Sequence, residues 1–169
     1  MPGFAASFLS GFLHPLHGAD HLVAMLAVGI WGGLAGGRAI RIWPIAFVAA
    51  MLLGFATATT AISVPLVEPA VMSSVIVLGL LVALAVEAPV WLGAGIIGLF
   101  AFFHGHVHGT EAAAASFTAY GAGLAVATGA LHTAGILCCL TGGPFGRLVL
   151  RTMGAVTALG GLLAMLVLK

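Results

Sequence analysis

The sequence predicts an all-α protein, a polytopic bundle of about six transmembrane helices folded as a single integral membrane domain over residues 1–169. Three observations carry that expectation. Only 5% of the residues are charged and 62% are hydrophobic, with a mean hydropathy of +1.26, whereas a soluble domain carries roughly 25% charged residues. So few charges cannot present a wetted surface, and the solvent must be lipid. Several runs also reach the roughly 20 apolar residues that a helix needs to cross a hydrocarbon core of about 30 Å. Finally, runs such as "SSVIVLGLLVALAV" are apolar on every side, whereas the strands of a membrane barrel alternate.

Turn and charge signals set the elements in order. The first segment, about Phe4 to Leu34, is too long for one simple span and is expected to break at Pro15 and Gly18, because proline interrupts the helical ladder and glycine loosens it. Phe4 to Leu13 then reads as a half-helix or re-entrant piece leading into a full span from about Asp20. Irregular backbone at membrane depth is tolerated where it lines a cavity. The second span runs from about Trp43 to Val64, after Arg38 and Arg41, and the third from about Ala70 to Val86. The fourth covers about Val90 to Phe103, the fifth Ala113 to Leu140 and the sixth Leu148 to Leu168.

Cytoplasmic loops are enriched in Lys and Arg. Arg38 and Arg41 separate spans one and two, and Arg147 and Arg151 separate spans five and six. With six spans both loops fall on one face, expected to be cytoplasmic, which places both termini outside; Lys169 is a minor exception. An outside N-terminus normally follows removal of a leader, and "MPGFAASFLSG" lacks the pattern of one. The expectation is a mature or trimmed form with Met1 added or reassigned.

Against this apolar background, "HPLHGADH" (His14 to His21) places three histidines and an aspartate within eight residues. Ionisable groups at membrane depth are costly, face the bundle interior and mark ion or substrate pathways. A second cluster is "FHGHVHGTE", with His104, His106, His108 and Glu111; His132, Glu68 and Glu87 stand apart. Residues three, four and seven apart share a helix face. His14, His17 and His21 therefore predict one stripe with Asp20 beside it, and His104, His108 and Glu111 another, with His106 pointing elsewhere if the helix continues. Gly105 and Gly109 raise the expectation of an irregularity there.

Imidazoles mixed with carboxylates suit a borderline first-row divalent cation such as nickel, zinc, copper or iron. No thiolate accompanies them, which argues against cysteine-rich structural zinc. Cys138 and Cys139 are adjacent, lack a CxxC spacing and are expected to pack. The two clusters also echo each other as His-Gly-x-acid, at His17–Asp20 and His108–Glu111, each preceded by Phe-x-His. Three spans separate them, which predicts an inverted repeat of two three-span halves, as in many secondary transporters.

These motifs resemble those of the HupE/UreJ family of bacterial membrane proteins. "HPLHGADHLVAMLAVG" (His14 to Gly29) is similar to the family pattern HPxxGxDHxxxMxxVG, and "HGHVHGTE" (His104 to Glu111) to HGHxHGxE. "PLVEPAVMSSVIVLGLLVA" from Pro65 and "ATGALHTAGI" from Ala127 also look like family segments, so the likeness covers nearly the whole chain. The resemblance implies a multi-pass permease of the bacterial cytoplasmic (inner) membrane that carries Ni²⁺, with Co²⁺ as an associated substrate. Carried over by position, it implies His14, Asp20, His21, His104, His108 and Glu111 as metal ligands. His106, Glu68 and His132 follow as additional ligands or pathway groups. His17 falls at a variable position and stays in the set on its helical spacing, while Glu87 matches no family position and is expected at an interface before Pro89. Phe47 lies in a family-like apolar span and reads as core, with pathway lining as the alternative.

The leading expectation is therefore a secondary transporter or facilitated-diffusion permease for Ni²⁺, with Co²⁺ or Zn²⁺ as alternative substrates and no organic cofactor. Its partners are the lipid bilayer and the ion; a net charge of +1 offers no patch for nucleic acid, and oligomeric state stays open. "TGGPFGRL" lacks the Lys-Ser/Thr of a phosphate-binding loop, and no HExxH helix is present. The protein is read as not an enzyme, the competing classes being an intramembrane metalloenzyme, a metal- or haem-binding membrane protein and a metal sensor.

Overall fold

The computed structural model describes residues 3–60, 62–112 and 116–167. Met1 and Lys169, and the predicted start of the fifth span at Ala113, lie outside them. Among the described residues seven helices form: α1 (Phe4–His17), α2 (Ala19–Ala35), α3 (Ala39–Thr57), α4 (Val67–Ala83), α5 (Val90–Glu111), α6 (Phe117–Thr141) and α7 (Gly143–Val167). Among the described residues there is no strand, so the predicted helical bundle is the architecture.

Six of these helices alternate in direction between two ends of the bundle. Helices α3, α5, α6 and α7 are long and apolar enough to span a membrane. The 17-residue helices α2 and α4 sit at the short limit for spanning. One end gathers Leu34, Ala35, the α4–α5 loop at Ala85 to Ala88, Arg147 and Arg151 around a cavity of about 580 Å³, and Arg151 Nε donates to the Ala83 carbonyl at 2.9 Å. The predicted placement of both arginine loops on one face therefore holds. Trp31 and Trp43 stack at 4.1 Å near this end and donate to the Val86 and Val90 carbonyls at 2.8 and 2.9 Å. These bonds tie α2 and α3 to the loop. At the opposite end lie His14, Asp20, Glu68 and Glu111, joined there by Ala164 and Met165 near the end of α7.

Helix α1 is bent 85° from α2 and stays at the histidine end. Ser7 Oγ accepts from the Ser116 backbone N–H at 3.0 Å, and Gly11 packs on the backbone of Tyr120, both at the start of α6. The half-helix expectation is met with a correction. The break lies at Gly18 alone, where the backbone is extended (φ −96°, ψ 114°), while Pro15 remains inside α1. Pro15 has no N–H to give to the Gly11 carbonyl four residues back, so α1 loses one ladder bond two residues before it ends.

Helix pairs close through glycine. Lipid offers no hydrophobic drive between helices, so small residues that admit close backbone approach hold them together. Gly54 of α3 meets the Phe102 carbonyl of α5, and Gly105 of α5 meets the Met51 carbonyl of α3. The same reciprocal contact joins Gly29 and Gly135 to the facing carbonyls of His132 and Leu26 across α2 and α6. Gly79 and Gly154 repeat it across α4 and α7. The pairing of α3 with α5 is matched by that of α6 with α1 and α2, the arrangement that exchanging two three-helix halves produces, although α2 also packs on α3 and α4.

Candidate metal centre

Helix α5 continues unbroken through the second motif to Glu111, past the predicted stop at Phe103 and without the irregularity expected of its glycines. Gly105 and Gly109 lie four apart and face α3, against the Met51 and Phe55 carbonyls. His104 and His108, one residue behind each glycine, are thereby rotated about 100° away from that contact into the bundle interior. Both are fully buried. The glycines let α5 press on α3 while the imidazoles face the site, which accounts for the interleaved motif.

Helix α2 begins immediately after the Gly18 break and brings His21 to the same place. Its ring lies 4.9 Å from that of His104 and 4.4 Å from that of His108. One nitrogen from each of His21, His104 and His108 lies within 4.8 Å of the others. His14, His108 and Glu111 form a second such group, with His14 Nε2 2.8 Å from Glu111 Oε2. His108 belongs to both. Donors about 2.1 Å from one ion are separated by roughly 3–4 Å, so small ring movements suffice to share a cation.

The hydrogen-bond network fixes which nitrogen each ring offers. Ser74 Oγ has one hydrogen and gives it to the Val71 carbonyl at 2.6 Å, so toward His104 Nε2, 2.8 Å away, it can only accept. His104 therefore carries its proton on Nε2 and presents the lone pair of Nδ1. The Asp20 carboxylate accepts from His21 Nδ1 at 2.8 Å, leaving Nε2 as the free donor atom of that ring. Both lone-pair nitrogens, with both nitrogens of His108, are buried without a hydrogen-bond partner. Leaving a buried polar group unpaired costs about 1–3 kcal/mol. Three rings in that state, grouped within 4.8 Å by one nitrogen each, form a set that could hold a cation. An acceptor behind a ligating imidazole orients it and raises its basicity, the position Asp20 holds behind His21.

The remaining residues separate. Glu68 is exposed, and with Asp20, His21 and Glu111 it lines a cavity of about 480 Å³ that opens beside the triad. His106 points at α3, as its spacing predicts, 3.0 Å from Thr57 Oγ1. His132 is buried deeper, its Nδ1 donating to the Met25 carbonyl at 2.7 Å. Phe47 is core, as read from the sequence, and lies between the two levels, 6.0 Å from the ring of His104 and 4.9 Å from that of His132. His17 is exposed and joins neither group. The single stripe of His14, His17 and His21 is thus corrected, because the 85° bend breaks the helical phase and His14 and His21 arrive from different helices. Glu87 lies at the arginine end, and Cys139 packs against Gly33. Ser74 was not singled out from the sequence; the Ser73–Ser74 pair in an otherwise apolar helix is the signal that marks it.

Asp20→Asn keeps an acceptor for His21 but removes the charge behind it. Loss of such support typically lowers metal affinity about 10–100-fold, and that loss is expected here in equilibrium dialysis against Ni²⁺. Ser74→Ala, which frees the His104 tautomer, is expected to shift affinity in the same direction, and His17→Ala to leave it unchanged.

Known proteins place these motifs in context. No solved structure matches the chain. It is 45% identical over 155 residues, 90% of this chain and 81% of the relative, to the protein HupE of Rhizobium leguminosarum bv. viciae. The model of the family described as HupE / UreJ protein matches residues 2–164. With both histidine motifs inside that match, the chain belongs to the HupE/UreJ family.

Proposed function

We propose that this protein carries divalent metal ions, Ni²⁺ foremost, across the bacterial inner membrane as a permease, with its histidine end outside and its arginine end in the cytoplasm. Family membership supports metal transport in general. The observation that supports this particular route is the buried triad of His21, His104 and His108, each with a nitrogen that lacks a hydrogen-bond partner, beside a cavity bordered by Asp20, Glu68 and Glu111. The carboxylates of Asp20, Glu68 and Glu111 attract the cation into that cavity. His14 and Glu111 take it first, and His108, common to both groups, hands it to the triad as water is shed. Imidazole suits nickel, cobalt and zinc alike, so preference among them is set by geometry and supply. The loose spacing favours a binding strength that permits release, as conduction requires.

The test is uptake into proteoliposomes containing a metal-sensitive dye. Saturable Ni²⁺ entry by the native protein, weakened in Asp20→Asn and lost in His108→Ala, is the expected result. Binding without entry would overturn the permease reading and favour a sensor or an enzyme.

A further inference from the structure

Below the triad, toward the arginine end, lies a second group of donors that the reading above does not use. Thr128 of α6 is fully buried, and its hydroxyl sits 3.4 Å from Met25 Sδ and 3.5 Å from Met51 Sδ. Other threonines of the same helix behave differently. Thr133 and Thr141 donate to the carbonyls four residues back, each at 2.8 Å, the usual way to satisfy a hydroxyl in a membrane helix. Thr128 instead meets two thioethers, which are weak acceptors. Both sulfurs belong to fully buried side chains, brought from α2 and α3 onto one point of α6.

One turn on along the same face of α6 comes His132, also buried. Its Nδ1–H is committed to the Met25 carbonyl, so Nε2 holds the lone pair, and that atom is buried without a partner. The same arrangement marks the rings of the triad. Met25 lies four residues after His21, about 6 Å further along α2, and the Phe47 ring touches both levels.

We infer that His132, Met25, Met51 and Thr128 form a second, inner subsite for a borderline divalent cation, one step inward from the histidine triad. The inference rests on the permease reading for its direction, but the site itself is a statement about binding. Its donors are one imidazole, two thioethers and a hydroxyl, all neutral. Thioethers suit softer ions than carboxylates do, so the site discriminates against Mg²⁺ and Ca²⁺. With one imidazole where the triad has three, and weaker thioether and hydroxyl donors beside it, it holds a divalent ion less tightly than the triad, which favours onward release.

The experiment compares the native protein in lipid nanodiscs with Met25→Leu/Met51→Leu, a swap that conserves volume and is well tolerated in packed interiors. Equilibrium dialysis against Ni²⁺ is expected to give two ions per native chain and one per variant, with sulfur scattering in the X-ray absorption spectrum of the native complex alone. In proteoliposomes the variant is expected to lose roughly ten-fold or more in maximal uptake rate, in line with the cost of disturbing a metal's support, at an unchanged half-saturation concentration, because capture occurs above it. One ion per native chain, or a variant equal to native in stoichiometry and rate, overturns the inner subsite while leaving the permease reading in place. Two ions bound and none transported overturns the permease reading and leaves the subsite standing.

Discussion

Replacing His108 by leucine is expected to abolish Ni²⁺ uptake while leaving the helix bundle as stable as before, or more so. The two halves of this result have separate causes. His108 is the one side chain shared by both donor groups, so its loss breaks the triad and, on the proposed route, the hand-over from the cavity. Removing a ligand should cost at least the roughly 100-fold seen at the upper end for its supporting groups. Yet both its nitrogens are buried without a hydrogen-bond partner, a state that costs about 1–3 kcal/mol per group. An apolar side chain of similar size in that place has no such cost, and sites kept for function are where a fold carries destabilising features. Thermal unfolding in detergent and uptake in liposomes, measured on the same preparation, check the pair. Lost uptake with a sharply lowered unfolding temperature would instead assign His108 a packing role.

The second large effect is structural. Gly105→Leu is expected to prevent assembly of the bundle, leaving no folded protein to purify. A Cβ at Gly105 would run into the Met51 carbonyl, with the Met51 Cα only 2.9 Å away. The obstacle is backbone, not a side chain that can turn aside, so α3 and α5 would have to separate along their length. Gly54, meeting Phe102 from the other side, leaves no room for that separation without loss of the whole contact. Overpacking of even ordinary side chains costs typically 1–3 kcal/mol, and a backbone clash exceeds this. Gly95, on the same helix with nothing within 4 Å of its would-be Cβ, is the control. Gly95→Leu is expected to fold and transport normally, and equal yields of the two variants would refute the argument.

Composition made much of this architecture readable in advance, because a chain with 5% charged residues has few ways to exist outside lipid. The arginine loops fell on one face, as six alternating spans require. The regular spacing of His104, His108 and Glu111 survived because α5 is an unbroken helix, where sequence distance and direction remain linked. The stripe through His14, His17 and His21 did not survive. Gly18 takes an extended conformation, and beyond such a residue the helical phase restarts at an angle that local sequence does not encode.

Hydropathy and residue chemistry are local properties, so a helical membrane protein with two imidazole–carboxylate motifs could be read directly from the chain. Packing decided which of those histidines meet, with His108 at the centre and His17 outside. It also decided which nitrogen each one offers. A ring's free lone pair is set by the acceptor behind the other nitrogen: Ser74 from α4 for His104 and the Met25 carbonyl from α2 for His132. Those partners lie 30 and 107 residues away in the chain, and packing alone brings them into contact.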